Sequence, residues 1–103
     1  MSKEIGMIDE ITQVLTEFAL TKFTANALEV KGPVQEGSSY RWRIVSTRYK
    51  EVTVLLKTRK LPFSKPSMTA IEVYGLKEQK VLQPNLQSLQ NALQGAELVS
   101  ARG

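Results

Sequence analysis

The chain has 103 residues, 42% of them hydrophobic and 23% charged, which suits one globular domain spanning residues 1–103 and excludes a disordered polymer. It contains no cysteine and no histidine, which excludes disulfides, thiolate metal sites and the common nucleophile–base pairs. Fourteen basic and ten acidic residues leave a net charge of +4, a balance that admits an anionic partner such as nucleic acid or an acidic protein.

The opening residues, MSKEIGMIDE, carry acids where a secretory signal needs an apolar run. No segment approaches the roughly 18 apolar residues of a membrane span, so a cytoplasmic protein with no membrane partner is expected. Residues 4–24 form the first element. Ile8, Ile11, Val14, Leu15 and Phe18 recur at helical spacing, with Asp9, Glu10, Gln13 and Glu17 on the other side. That is the pattern of an amphipathic helix whose stripe packs on a sheet. Ser2 is the candidate N-cap.

Residues 27–31, ALEVK, alternate and read as a short strand that Gly32-Pro33 ends. Gln35 to Ser39 are polar and turn-rich, the composition of a loop. Two further strands are expected at 39–47 and 52–59, joined through Arg48-Tyr49-Lys50-Glu51. Tyr40, Trp42 and Ile44 alternate with Arg41 and Arg43, and Val52, Val54 and Leu56 alternate with Thr53, Leu55 and Lys57. The apolar set of each strand is expected to face the helices, burying Trp42.

Residues 60–67 carry Pro62 and Pro66 and read as a loop. Phe63 lies between them, and the preference of large apolar side chains for burial makes it a plug at the core edge rather than an exposed ring. A fourth strand is expected at 68–74, with Thr69, Ile71 and Val73 on one face and Ala70, Glu72 and Tyr74 on the other. Gly75 marks a turn or bulge, and 79–82 could add a brief further strand. Pro84 is placed to open a last helix, with Leu82, Leu86, Leu89 and Leu93 lining one side; either Gly95 caps it or the helix runs on through Leu98. The tail 100–103 is expected to fray. Short links between consecutive strands favour an antiparallel meander. The expected fold is therefore α+β, two-layer, a four-stranded antiparallel meander with an N-terminal and a C-terminal helix (α-β-β-β-β-α), both helices on one face of the sheet.

The charge is concentrated. Residues 40–60 hold seven basic residues and one acid, Glu51, giving +6 against −2 for the rest of the chain. Arginine and lysine neutralise phosphates, and an open sheet face is a platform for single strands. With Trp42 turned inward the expected face is Arg41, Arg43, Thr53, Lys57 and Arg59, with Tyr49 at the turn, and binding is charge-led with little base stacking. The expected function is therefore a non-catalytic nucleic-acid-binding module, single-stranded DNA or RNA favoured over duplex. Its contacts would come from Arg41, Arg43, Arg48, Tyr49, Lys50, Lys57, Arg59 and Lys60. The layout resembles small strand-rich single-stranded-DNA-binding domains whose C-terminal helix forms the dimer; the likeness is one of topology, and no residue motif carries over.

Two alternatives come from other classes. A protein-interaction or assembly subunit would rest on the small size, the uncharged Leu/Gln helix at 84–94 and the outward position of Leu55; in either reading a homodimer is expected. A metal-free small ribonuclease would need only residue types that Arg41, Arg43, Arg48, Tyr49 and Lys57 supply. The acids are scattered without a ligand motif, and phosphate-cradling glycine motifs are absent from the sequence. Neither a metal nor a cofactor is expected, and Glu29, Glu36 and Glu72 read as solvated surface acids.

Overall fold

The computed structural model describes residues 3–22, 28–59, 62–63 and 67–100. The elements run α1 (Lys3–Lys22), β1 (Leu28–Glu36), β2 (Ser39–Ser46), β3 (Val52–Arg59), β4 (Ser67–Tyr74), β5 (Lys80–Leu82) and α2 (Leu86–Gln94). The five strands form one antiparallel sheet in the order β1-β2-β3-β4-β5. This is the expected two-layer α+β meander with a short fifth strand added at one edge. The expected cap Ser2, together with Ala27 and Lys60, lies outside the described residues.

Both helices cover one face of the sheet. Ile11, Leu15, Phe18 and Ala19 of α1 and Leu89 and Leu93 of α2 meet the inward residues Trp42, Ile44, Val52, Val54, Leu56, Ile71 and Val73 in one buried cluster. Period-2 alternation in the strands and 3.6-residue spacing in the helices thus converge on a single core, as layered packing requires. Trp42 is fully buried. Its indole N–H donates to Thr12 Oγ1 at 2.8 Å, and the Thr12 hydroxyl donates in turn to the Ile8 carbonyl of α1 at 2.9 Å. The largest core residue is thereby tied to the helix above it through its one polar atom. Among the described residues, no helix is long and apolar enough to cross a membrane.

The structure corrects the expected elements at five places. Gly32-Pro33 does not end β1: the strand continues to Glu36 through an irregularity between Lys31 and Val34. Gly32 holds φ +118 against the β2 backbone, where a Cβ would come within 2.6 Å of the Arg41 carbonyl, and proline is tolerated because β1 is an edge strand. The expected loop 35–39 shrinks to a turn at Gly37-Ser38, since Gln35 pairs with Tyr40 and Glu36 with Ser39. The β3–β4 register shifts between Lys57 and Thr58, leaving Thr69 as the extra residue of β4. Met68 rather than Thr69 then packs against the core. Phe63 is no plug: its relative exposure is 109%, at φ 65. Finally, Asn85, not Pro84, starts α2, its side-chain oxygen accepting from the Ser88 N–H at 2.8 Å. Of the two expected ends it is Gly95 that caps the helix, its N–H bonded to the Leu93 carbonyl.

The single tryptophan reports directly on this core. Thr12→Val should cost about 1–3 kcal/mol in urea unfolding followed by Trp42 fluorescence, because it leaves the buried indole N–H without an acceptor. Gly75→Ala should cost more. Gly75 sits at φ +93 with the Glu51 carbonyl 2.1 Å from where a Cβ would be, so strain adds to a backbone clash.

Candidate functional site on the open face of the sheet

The face turned away from the helices is built by the alternate residues of every strand. β1 contributes Glu29, Lys31, Val34 and Glu36; β2 contributes Arg41, Arg43 and Val45; β3 contributes Thr53, Leu55 and Lys57; β4 contributes Ala70, Glu72 and Tyr74; β5 contributes Val81. Glu51, just before β3, joins them through its contact with Arg43.

Among the described residues, the seven expected to contact nucleic acid do not form one surface. Arg41, Arg43 and Lys57 stand on the open face, the two arginines on one strand and about 7 Å apart by strand geometry. Arg48, Tyr49 and Lys50 lie in the β2–β3 link at one end of the sheet. Arg59 lies at the far end of β3, roughly 25 Å from them over an eight-residue strand. The ribonuclease set is split in the same way, with Arg48 and Tyr49 away from Arg41, Arg43 and Lys57.

The β2–β3 link is tied to the end of the chain. Lys50 N–H donates to the Val99 carbonyl at 2.8 Å, and Tyr49 pairs with Ser100 in an isolated bridge. Ser100 is therefore in place rather than frayed; residues 101–103 lie outside the described residues. Tyr49 is partly buried against the core. On the next turn, Leu76 pairs with Leu98, and Lys77 Nζ stands 2.9 Å from Glu97.

On the open face the charges are matched. Arg41 Nη2 is 2.6 Å from Glu36 Oε1. Arg43 binds Glu51 Oε1 through two nitrogens, the Nε contact being 2.9 Å. Lys31 lies 3.9 Å from Glu29. The Tyr74 hydroxyl donates to Glu72 Oε1 at 2.5 Å. Four cations (Lys31, Arg41, Arg43, Lys57) thus share the face with four carboxylates (Glu29, Glu36, Glu51, Glu72), and its formal charge is zero. The Arg43 hydrogen bond holds the Glu51 carboxyl below the usual carboxylate range, and the bond to Glu72 raises the Tyr74 phenol above its ordinary value.

Two features of this face went unread in the sequence as parts of a site. Tyr74 joins the arginines because Ile71 and Val73 point inward, which leaves its parity outward; the alternation of 71–74 was signal enough. The carboxylate partners were not legible. Arg41 meets Glu36 only because β1 runs on past Pro33, and Arg43 meets Glu51 across the β2–β3 link. Among the described residues there is no group of three or more acids, histidines or cysteines placed to hold a metal ion. The chain matches no protein-family model, no curated protein and no solved structure.

The Arg43–Glu51 pair carries a pH dependence of defined sign. The folded-state pKa of Glu51 is lowered, so its contribution to stability is present above the ordinary carboxylate range and is lost as pH falls through the lowered value. Glu51→Gln should therefore lower the urea midpoint at pH 7, by an amount worth at most about 1 kcal/mol for so exposed a pair. The gap to the unsubstituted chain should narrow progressively as the pH is taken down below the ordinary carboxylate range. A gap that stays constant across that range would show that the pairing contributes no charge-dependent stability.

Proposed function

We propose that this chain is a protein-assembly module that works through the open face of its sheet. The observation that carries the reading is the charge balance of that face. Phosphate binding draws its affinity from uncompensated positive charge, whereas Arg41 and Arg43 already stand against Glu36 and Glu51. What the face offers instead is apolar side chains interleaved with charges that are already matched. Leu55 lies at its centre, with Val34 (49% exposed) and Val81 (72% exposed) toward its two edges. A protein interface need be no more apolar than ordinary surface, so this mixture of exposed apolar residues and neutralised charges suits one. A photo-crosslinking amino acid at position 55 should yield protein adducts in the expressing cell, and one at Gln90, exposed on α2, should not. Failure to form any protein adduct at position 55 would overturn the reading.

A second reading keeps nucleic acid as the partner and is favoured by one observation: the full exposure of Phe63, three positions along the sequence from the basic pair Arg59-Lys60. An exposed ring beside cations is the combination that single-strand stacking uses. The two readings separate by fluorescence anisotropy with labelled single strands at low salt. If the Phe63 end binds them, Phe63→Ala should weaken binding roughly tenfold, while Arg41→Glu with Arg43→Glu leaves it within about twofold. A large loss in the double arginine variant would return the open face to nucleic acid and remove it from the assembly reading.

A further inference from the structure

We infer that the occupant of the open face is a second copy of this chain, packed face to face about a two-fold axis running along β3. The inference rests on the assembly reading above and names its partner. It comes from the register of the sheet. Val34 pairs with Arg41, Arg41 with Leu55, Leu55 with Glu72, and Glu72 with Val81. One line of outward residues therefore crosses all five strands as Val34, Arg41, Leu55, Glu72 and Val81. Counted outward from Leu55, each direction meets a charge and then a valine, and the two charges are opposite in sign.

A two-fold axis along β3 between two such faces reverses the line in the second copy. Leu55 then meets Leu55, each valine meets the other valine, and Arg41 meets Glu72 of the second copy on both sides of the axis. An isologous interface requires this self-complementarity. The neighbouring line behaves the same way. Lys31 pairs with Arg43, Arg43 with Thr53 and Thr53 with Tyr74, so the operation sets Thr53 on Thr53 and Arg43 over the ring of Tyr74 of the second copy, a cation–π pairing. Stacking β3 on β3 in parallel also fits the aligned class of sheet packing, about 10 Å between layers.

The present partners of the charged groups do not oppose this. Exposed ion pairs contribute little, so Arg41 exchanges Glu36 for Glu72 of the second copy at low cost. The residue that resists is Lys57, which meets itself across the axis at the rim of the face. Five strands and three outward residues per strand give a face of roughly 20 Å by 20 Å. That is small for a specific interface, so association belongs at the weak end of the range.

The test is sedimentation equilibrium of the purified chain at concentrations up to the order of 100 µM. The unsubstituted chain should dimerise. Arg41→Glu and Glu72→Arg should each weaken the dimer by at least about tenfold, since each places two like-charge contacts across the axis. The combined variant, with the charges exchanged, should recover to within about threefold. Lys57→Met should tighten the dimer. Circular dichroism and Trp42 fluorescence confirm that each variant is folded, and Leu55→Lys supplies a second disruption that leaves the charges of the pairs intact. A wild-type chain that remains monomeric, or a folded charge-exchanged variant that fails to recover, overturns the proposal. If the chain is monomeric while position 55 crosslinks a different protein, the second copy is excluded and the assembly reading stands. If position 55 crosslinks nothing either, both fall.

Discussion

The hydrogen bond from the Trp42 indole to the Thr12 hydroxyl fixes more than one contact. A buried N–H without an acceptor costs more than a typical hydrogen bond contributes. Trp42 therefore has one well-satisfied orientation, and that orientation places α1 across β2. Once Trp42 points inward, strand alternation sends Arg41 and Arg43 outward, and the ladders carry that parity to β1 and β3. Which residues share the open face is thus a consequence of where one large side chain found room and a polar partner.

Much of this was legible in the sequence because it depends on local periodicity. The helical spacing of Ile8, Ile11, Leu15 and Phe18 and the two-residue alternation of 40–44 and 52–56 are short-range patterns, and they gave both layers and the burial of Trp42. What escaped depends on contacts between strands or on exceptions to composition rules. Gly32-Pro33 reads as a stop, yet on an edge strand the missing N–H and the positive φ are absorbed by an irregularity. Thr69 reads as an inward residue by alternation, but the extra residue in β4 passes that role to Met68. Phe63 reads as buried on hydrophobicity alone, and its exposure is set by the turn it occupies.

The candidate site shows the same division. Counting residues along the chain concentrates the positive charge on 40–60, because cations that are close in sequence are added together. In the folded sheet a residue's electrostatic neighbours are those across the ladder, and there Arg41 and Arg43 find Glu36 and Glu51. Part of the ribbon's charge is also spread over the length of β3, with Arg48 and Lys50 at one end and Arg59 at the other. A charge run in sequence and a charged patch in space are different objects, and the register between strands converts one into the other.

The edges of the sheet bear on what kind of assembly the fold permits. At β1 the exposed edge is interrupted by the irregularity at Gly32 and by Pro33, which has no N–H to offer an incoming strand. At the opposite edge β5 is only three residues long. Such features blunt strand addition. A sheet closed to growth sideways but open on one face can gain a single layer and then has nothing further to offer. The proposed face-to-face association would therefore end in a closed pair rather than continue into a fibre.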